Sequence, residues 1–142
     1  MTAPRAVAQV EPYPSVEKMI VQALIAIYGT DSYSISTVLP DTLTKTAIRV
    51  QRLSGAPENI QVDKPLVEID VVTTKNLSGT AGYGIASDLA LEIQAALFNL
   101  RSLPLPNGVI VISRTIAGPR RITDVNVDTY RFAMTLEISV HA

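Results

Sequence analysis

The feature that most constrains the fold lies near the end of the chain, where Phe132, Met134, Leu136, Ile138 and Val140 alternate with Arg131, Ala133, Thr135, Glu137 and Ser139. A period of two places the first set on one face of a strand and the second on the other. Such a strand belongs to a sheet with one face covered by apolar material and one face polar. It is expected to run from about Val125 to Val140, after a strand at Val109 to Ile116.

The same alternation recurs earlier. In Ala47 to Leu53, Ile48 and Val50 oppose Arg49 and Gln51. In Leu66 to Thr73, Val67, Ile69 and Val71 oppose Glu68 and Asp70. A shorter strand is conceivable at Ile35 to Leu39 inside the polar, turn-rich stretch Thr30 to Thr46. Ser54 to Lys64, with Gly55, Pro57 and Asn59, reads as a loop.

Two segments have the other period. Val16, Met19, Ile20, Ala23, Leu24 and Ile27 follow the spacing of one helical face, with Ser15 as N-cap, Glu17 in the first turn and Gly29 placed to end the helix. Ile85, Leu89, Ile93, Ala96, Leu97 and Leu100 give a second face, stopped by Pro104 and Pro106. The expected fold is α+β: a mainly antiparallel four-stranded sheet with two α-helices packed on one face, in the order helix-strand-strand-helix-strand-strand. Residues 1–14, broken by Pro4, Pro12 and Pro14, read as an extended N-terminal arm, and residues 15–142 as a single domain.

The balance of 12 basic and 13 acidic residues, with the basic ones scattered apart from Arg120-Arg121, argues against tight nucleic-acid binding, which needs a basic face to release counterions from phosphates. The absence of cysteine excludes disulfides, thiolate metal sites and a cysteine nucleophile. No run approaches the ~18 apolar residues of a membrane span. Ala6-Val7-Ala8 is interrupted at Gln9, so no secretory signal is expected. A mean hydropathy of +0.26 leaves apolar surface to be covered, by a dense core or by a subunit interface.

Candidate chemistry is sparse. Gly79-Thr80-Ala81-Gly82-Tyr83-Gly84 follows a strand and precedes a helix, where a phosphate-cradling loop would sit. Its spacing is not the dinucleotide fingerprint, and no Gly-Lys-Ser/Thr follows. A plain loop or a loosely wound first helical turn explains it better. Asp124, Asn126 and Asp128 open like a calcium loop, but Thr129 and Thr135 stand where glycine and glutamate are required. His141, the single histidine, reads as a tail residue. Arg120 and Arg121 after Gly118-Pro119 suit ion pairs within or between subunits better than a ligand. Glu68 and Asp70 opposite Arg49 suit cross-strand pairing better than acid–base work.

Taken in order, Pro12-Tyr13-Pro14-Ser15-Val16, Leu39-Pro40, Ile48-Arg49-Val50-Gln51-Arg52, Asp63-Lys64-Pro65-Leu66-Val67-Glu68-Ile69-Asp70-Val71, Ala117-Gly118-Pro119-Arg120 and Tyr130-Arg131-Phe132 resemble the tail terminator (tail completion) proteins of long-tailed, siphovirus-type phages of actinobacteria. The resemblance spans Pro12 to Val140 and lies in the order and spacing of these stretches. It departs at Thr73 to Gly84, which is richer in glycine. The resemblance implies a structural virion protein at the tail–neck junction, assembled in the host cytoplasm, with no catalysis, cofactor, metal or membrane. It implies a homo-hexameric ring that caps the tail tube, ends its polymerisation and meets the head–neck connector proteins, while DNA passes through the lumen without specific binding. Expected contact residues are Val7, Val10 and Tyr13 of the arm. Arg49, Arg52, Glu68 and Asp70 are expected contacts on the strands, and Arg120 and Arg121 in a loop at Ala117 to Thr123. The alternatives are a small-ligand- or nucleotide-binding domain using Gly79 to Gly84, or another ring protein of the neck.

Overall fold

The computed structural model describes residues 15–40, 42–54, 62–74, 82–98, 110–122 and 129–141. The elements are α1 (Val16–Tyr28), β1 (Tyr33–Ser36), β2 (Thr46–Ser54), β3 (Val62–Asp63), β4 (Leu66–Thr74), α2 (Gly82–Phe98), β5 (Ile110–Ile122) and β6 (Thr129–His141).

Helix α1 begins where the Ser15 side chain accepts the Lys18 amide at 3.3 Å, which satisfies one of the first-turn donors. It ends at Gly29, whose φ of 72° and ψ of -170° only glycine adopts without strain, and whose amide donates to Ile25 O at 2.8 Å.

The sheet differs from the expected one. It contains six strands rather than four and is mixed: β1 pairs parallel to β2, and the remaining pairings, β2–β4, β4–β6, β3–β6 and β5–β6, are antiparallel. β3 and β4 lie in line along β6, since Val62↔His141 and Asp63↔Val140 continue the register of Leu66↔Glu137 across Lys64-Pro65. Five positions across the sheet therefore read β1, β2, β3/β4, β6, β5. The four-stranded expectation failed on two short strands, one in the turn-rich stretch before Pro40 and one inside the supposed loop Ser54 to Lys64. Four and two residues are too few to show a period, and their pairing comes from distant partners.

The expected loop at Ala117 to Thr123 is also strand, as far as Ile122. β5 takes up Gly118-Pro119 through register shifts between Thr115 and Ala117 and between Ala117 and Arg120. An edge strand tolerates a proline there because the missing N–H would face away from the sheet or sit in a bulge.

Both helices lie on one face. α1 packs on β1 and β2, while α2 packs on β4, β6 and β5. One core joins them, with Ile20, Leu24, Ile48, Val50, Ile69, Ile93, Leu97, Met134 and Leu136 at most 1% exposed. Each such aliphatic side chain contributes about 1.5–3 kcal/mol on burial. The α2 face that enters the core is Ala86, Leu89, Ala90, Ile93 and Leu97. Ile85, expected inside, is 44% exposed, and Ile27 of α1 is 42% exposed. α2 is apolar nearly all round, so its sequence leaves the phase open by a residue. Among the described residues no helix is long and apolar enough to cross a membrane.

Candidate functional site

The face of the sheet away from the helices carries the second half of each alternation. Arg49 stands opposite Asp70 and Gln51 opposite Glu68 on β2 and β4. On β6, Ala133 stands opposite Asp70 and Arg131 opposite Val72. One register therefore brings Arg49 beside Asp70, and the diagonal neighbour Arg131 reaches it from the far side.

The resulting cluster has two cations and two anions. Arg49 and Arg131 both donate through Nη2 to Asp70 Oδ2, Arg131 at 3.0 Å. Arg49 Nη2 also donates to Glu68 Oε1 at 3.3 Å, and Arg131 Nη2 lies 3.8 Å from the same oxygen. The Asp70 side chain is fully buried between guanidinium groups that keep 21% and 25% of their side-chain exposure. Asp70 Oδ1, Arg49 Nε and Arg131 Nε are buried without a hydrogen-bond partner. Buried charge with unmet valences is expensive, and here the pairing depends on the strand register. A one-residue slip of β2 would carry Arg49 to the helix side and leave Asp70 with Arg131 as its one cation.

Burial, the charge of Asp70 and a hydrogen bond to Asp70 raise the Glu68 carboxyl above its usual range, against the pull of Arg49 and Arg131. The cluster neutralises itself and offers no net charge to an anion. Its centre is not wet as the alternation had implied, since Ala47, Val72 and Ala133 on the same face are at most 3% exposed.

The expected contact residues divide. Arg49, Glu68 and Asp70 meet in the cluster. Arg52 lies on the opposite, helix-bearing face, half-buried, because its register partner is the core residue Val67. Arg120 and Arg121 sit on strand β5, not in a loop. Arg120 Nη1 donates to Ala133 O at 3.4 Å, and Arg121 pairs with Phe132 in register and places its guanidinium 5.4 Å from the centre of the Tyr83 ring. Tyr83 meets Phe132 edge to face at 5.2 Å. Val7, Val10 and Tyr13 lie outside the described residues, as do Gly79 to Ala81 and Asp124 to Asp128. Gly82 and Gly84 lie in the first turn of α2, the second of the two plain readings of this stretch.

Arg131 escaped the sequence reading. Its place in the alternation was visible, but its nearness to Asp70 depends on β6 lying beside β4, 61 residues away along the chain. Arg114, which pairs with Glu137 at 3.3 Å, was missed for the same reason. Among the described residues no group of three or more His, Asp or Glu side chains is arranged to hold a metal ion.

No protein-family model and no curated protein sequence matches the chain. Its fold is similar to that of a chain in the solved virion of the native gene transfer agent (GTA) particle, with a TM-score of 0.54 and 20% sequence identity, covering 98% of this chain and 100% of that one. At that identity the likeness is one of fold.

Proposed function

We propose that this chain is a structural virion protein of the tail-terminator type. Six copies form a ring that caps the tail tube, stops its growth and presents a docking face to the head–neck connector, at the tail–neck junction of the particle. It is assembled in the host cytoplasm and catalyses nothing. The tail tube protein and the connector are its partners, and DNA passes the lumen unbound.

The observation that supports this reading most is the correspondence of fold with a virion chain over 98% of this chain and 100% of that one. It joins the order and spacing of the motifs from Pro12 to Val140. The surface supports it too: Leu91 and Phe98, seven residues apart on the outer side of α2, are 53% and 55% exposed, and Val38 is 71% exposed. A ring interface would give these side chains apolar area to bury.

Electron microscopy of the purified protein, alone and with tail tubes, tests the proposal. Rings in solution or density at one end of each tube, with tubes that overgrow when the protein is withheld, are the expected results. Protein that neither forms rings nor marks tube ends would leave the fold standing and remove the function.

A further inference from the structure

Two elements of one subunit carry opposite charge on surfaces that do not meet within it. Helix α2 contains Asp88 and Glu92 and no cation. Strand β5 contains Arg114, Arg120 and Arg121 and no anion. Each also shows large apolar side chains to solvent. Leu91 and Phe98 of α2 are 53% and 55% exposed, and Ile116 of β5 is 49% exposed.

The α2 patch lies on the side of the helix away from the sheet. Asp88, Leu91, Glu92, Ala95 and Phe98 follow one another at helical spacing, all exposed, opposite the buried Ala86, Ile93 and Leu97. A different side of the helix faces β5, where Gln94 Nε2 donates to Thr115 Oγ1 at 3.3 Å. Among the described residues Asp88, Glu92, Arg120 and Arg121 form no ion pair.

The β5 patch lies at the edge of the sheet. Arg114 and Arg120 stand opposite Glu137 and Ala133, on the face away from the helices, and Arg121 stands on the other face beside Tyr83. Pro119 and two register shifts keep this edge from accepting another strand, so a neighbour meets it through side chains.

We infer that the outer face of α2 in one copy of this chain docks on the β5 edge of the next copy. The inference rests on the ring reading and supplies its subunit contact. Charge selects this pairing among those the two patches allow. α2 against α2 would set carboxylates on carboxylates, and β5 against β5 would set arginines on arginines, and facing like charges cost affinity. α2 against β5 gives Asp88 and Glu92 arginine partners and lets Leu91, Phe98 and Ile116 leave water. A contact between two different patches is also the head-to-tail kind that closes a ring, whereas either self-pairing stops at a dimer.

Charge exchange tests the contact. One variant carries Asp88→Arg with Glu92→Arg, and a second carries Arg120→Glu with Arg121→Glu. Arg114 is left in place because Glu137 already uses it. Thermal melts check that each variant is folded. Rings are followed by sedimentation velocity, and on tail tubes by electron microscopy. Each variant alone presents two patches of like sign and is expected to lose rings about tenfold or more. An equal mixture restores opposite signs at every contact of an alternating ring, and six is even, so rings are expected to return. Rings that survive either variant, or that fail to return in the mixture, overturn the contact and leave the ring reading standing. Intact rings that no longer mark tube ends would assign the patch to the tube protein instead. Should an exchange unfold the chain, Asp88→Asn with Glu92→Gln, or Arg120→Gln with Arg121→Gln, takes its place. Those neutral pairs are expected to weaken rings several-fold, and unchanged rings overturn the contact. Unmodified protein that forms no oligomer, free or on tubes, removes the ring itself.

Discussion

Asp70 has one carboxylate oxygen taken by two arginines from the strands on either side, and the other without a partner. Removing its charge leaves Arg49 and Arg131 with Glu68 alone. Asp70→Asn should therefore cost about 3 kcal/mol in urea melts, the scale of a broken buried pair. A loss below about 0.5 kcal/mol would mean that the arginines turn to solvent without penalty. Glu68 gives a second test, through pH. Because its folded pKa is raised, the folded state holds the proton more tightly than the unfolded one, so the stabilisation is complete below the ordinary value of 4.5 and is lost as pH rises through the folded pKa. Measured against Glu68→Gln, which keeps the protonated form's neutrality, the native chain should lose relative stability as pH rises above that value. A relative gain would show that the arginines outweigh burial and Asp70. In the core, Leu97 is 0% exposed and Leu97→Ala should cost about 2–5 kcal/mol, while Glu92→Ala on the wet side of the same helix should stay within about 0.5 kcal/mol. Equal losses in urea would mean that the phase of α2 is wrong.

Among the elements, the two helices expose a contrast between glycines. Gly29 terminates α1 in a conformation open to glycine alone, although nothing lies within 4 Å of a Cβ built there. Gly29→Ala should thus cost about 1–3 kcal/mol through the backbone and not through a clash. Gly84 also has open space, but it sits in the first turn of α2 without a positive φ. Gly84→Ala should raise stability by about 0.5–1 kcal/mol, by removing the entropy that glycine loses in a helix. Thermal melts of the pair check both signs, and a destabilised Gly84→Ala would show that the turn needs glycine after all. The strands make a related point. β5 extends through Gly118-Pro119, residues whose local chemistry reads as a turn, because pairing with β6, taken up through two register shifts, overrides that preference.

At the scale of the molecule, stability should be graded across the sheet. β4 and β6 are flanked by strands on both sides and covered by α2, whereas β1 has four half-buried residues on a parallel pairing at the edge. Hydrogen exchange should therefore be slowest in β4 and β6 and fastest in β1, with openings at β1 well below the global unfolding free energy. Uniform exchange across all strands of the monomer would contradict the grading.

The amino-acid order alone determined α1 from its Ser15 cap to its Gly29 stop, the existence of α2, and the alternation in β2, β4 and β6, since periods and caps depend on neighbours a few residues away. It also marked Arg49, Glu68 and Asp70 as a charged set. It offered a short strand at Ile35 to Leu39 where β1 runs from Tyr33 to Ser36, and it did not reveal β3, the parallel pairing of β1 with β2, the strand through Pro119, or Arg131 closing over Asp70. Those follow from which strands lie side by side, set by long-range packing of the helices on one face. A two- or four-residue strand has too little local pattern to declare itself until its partner is in place.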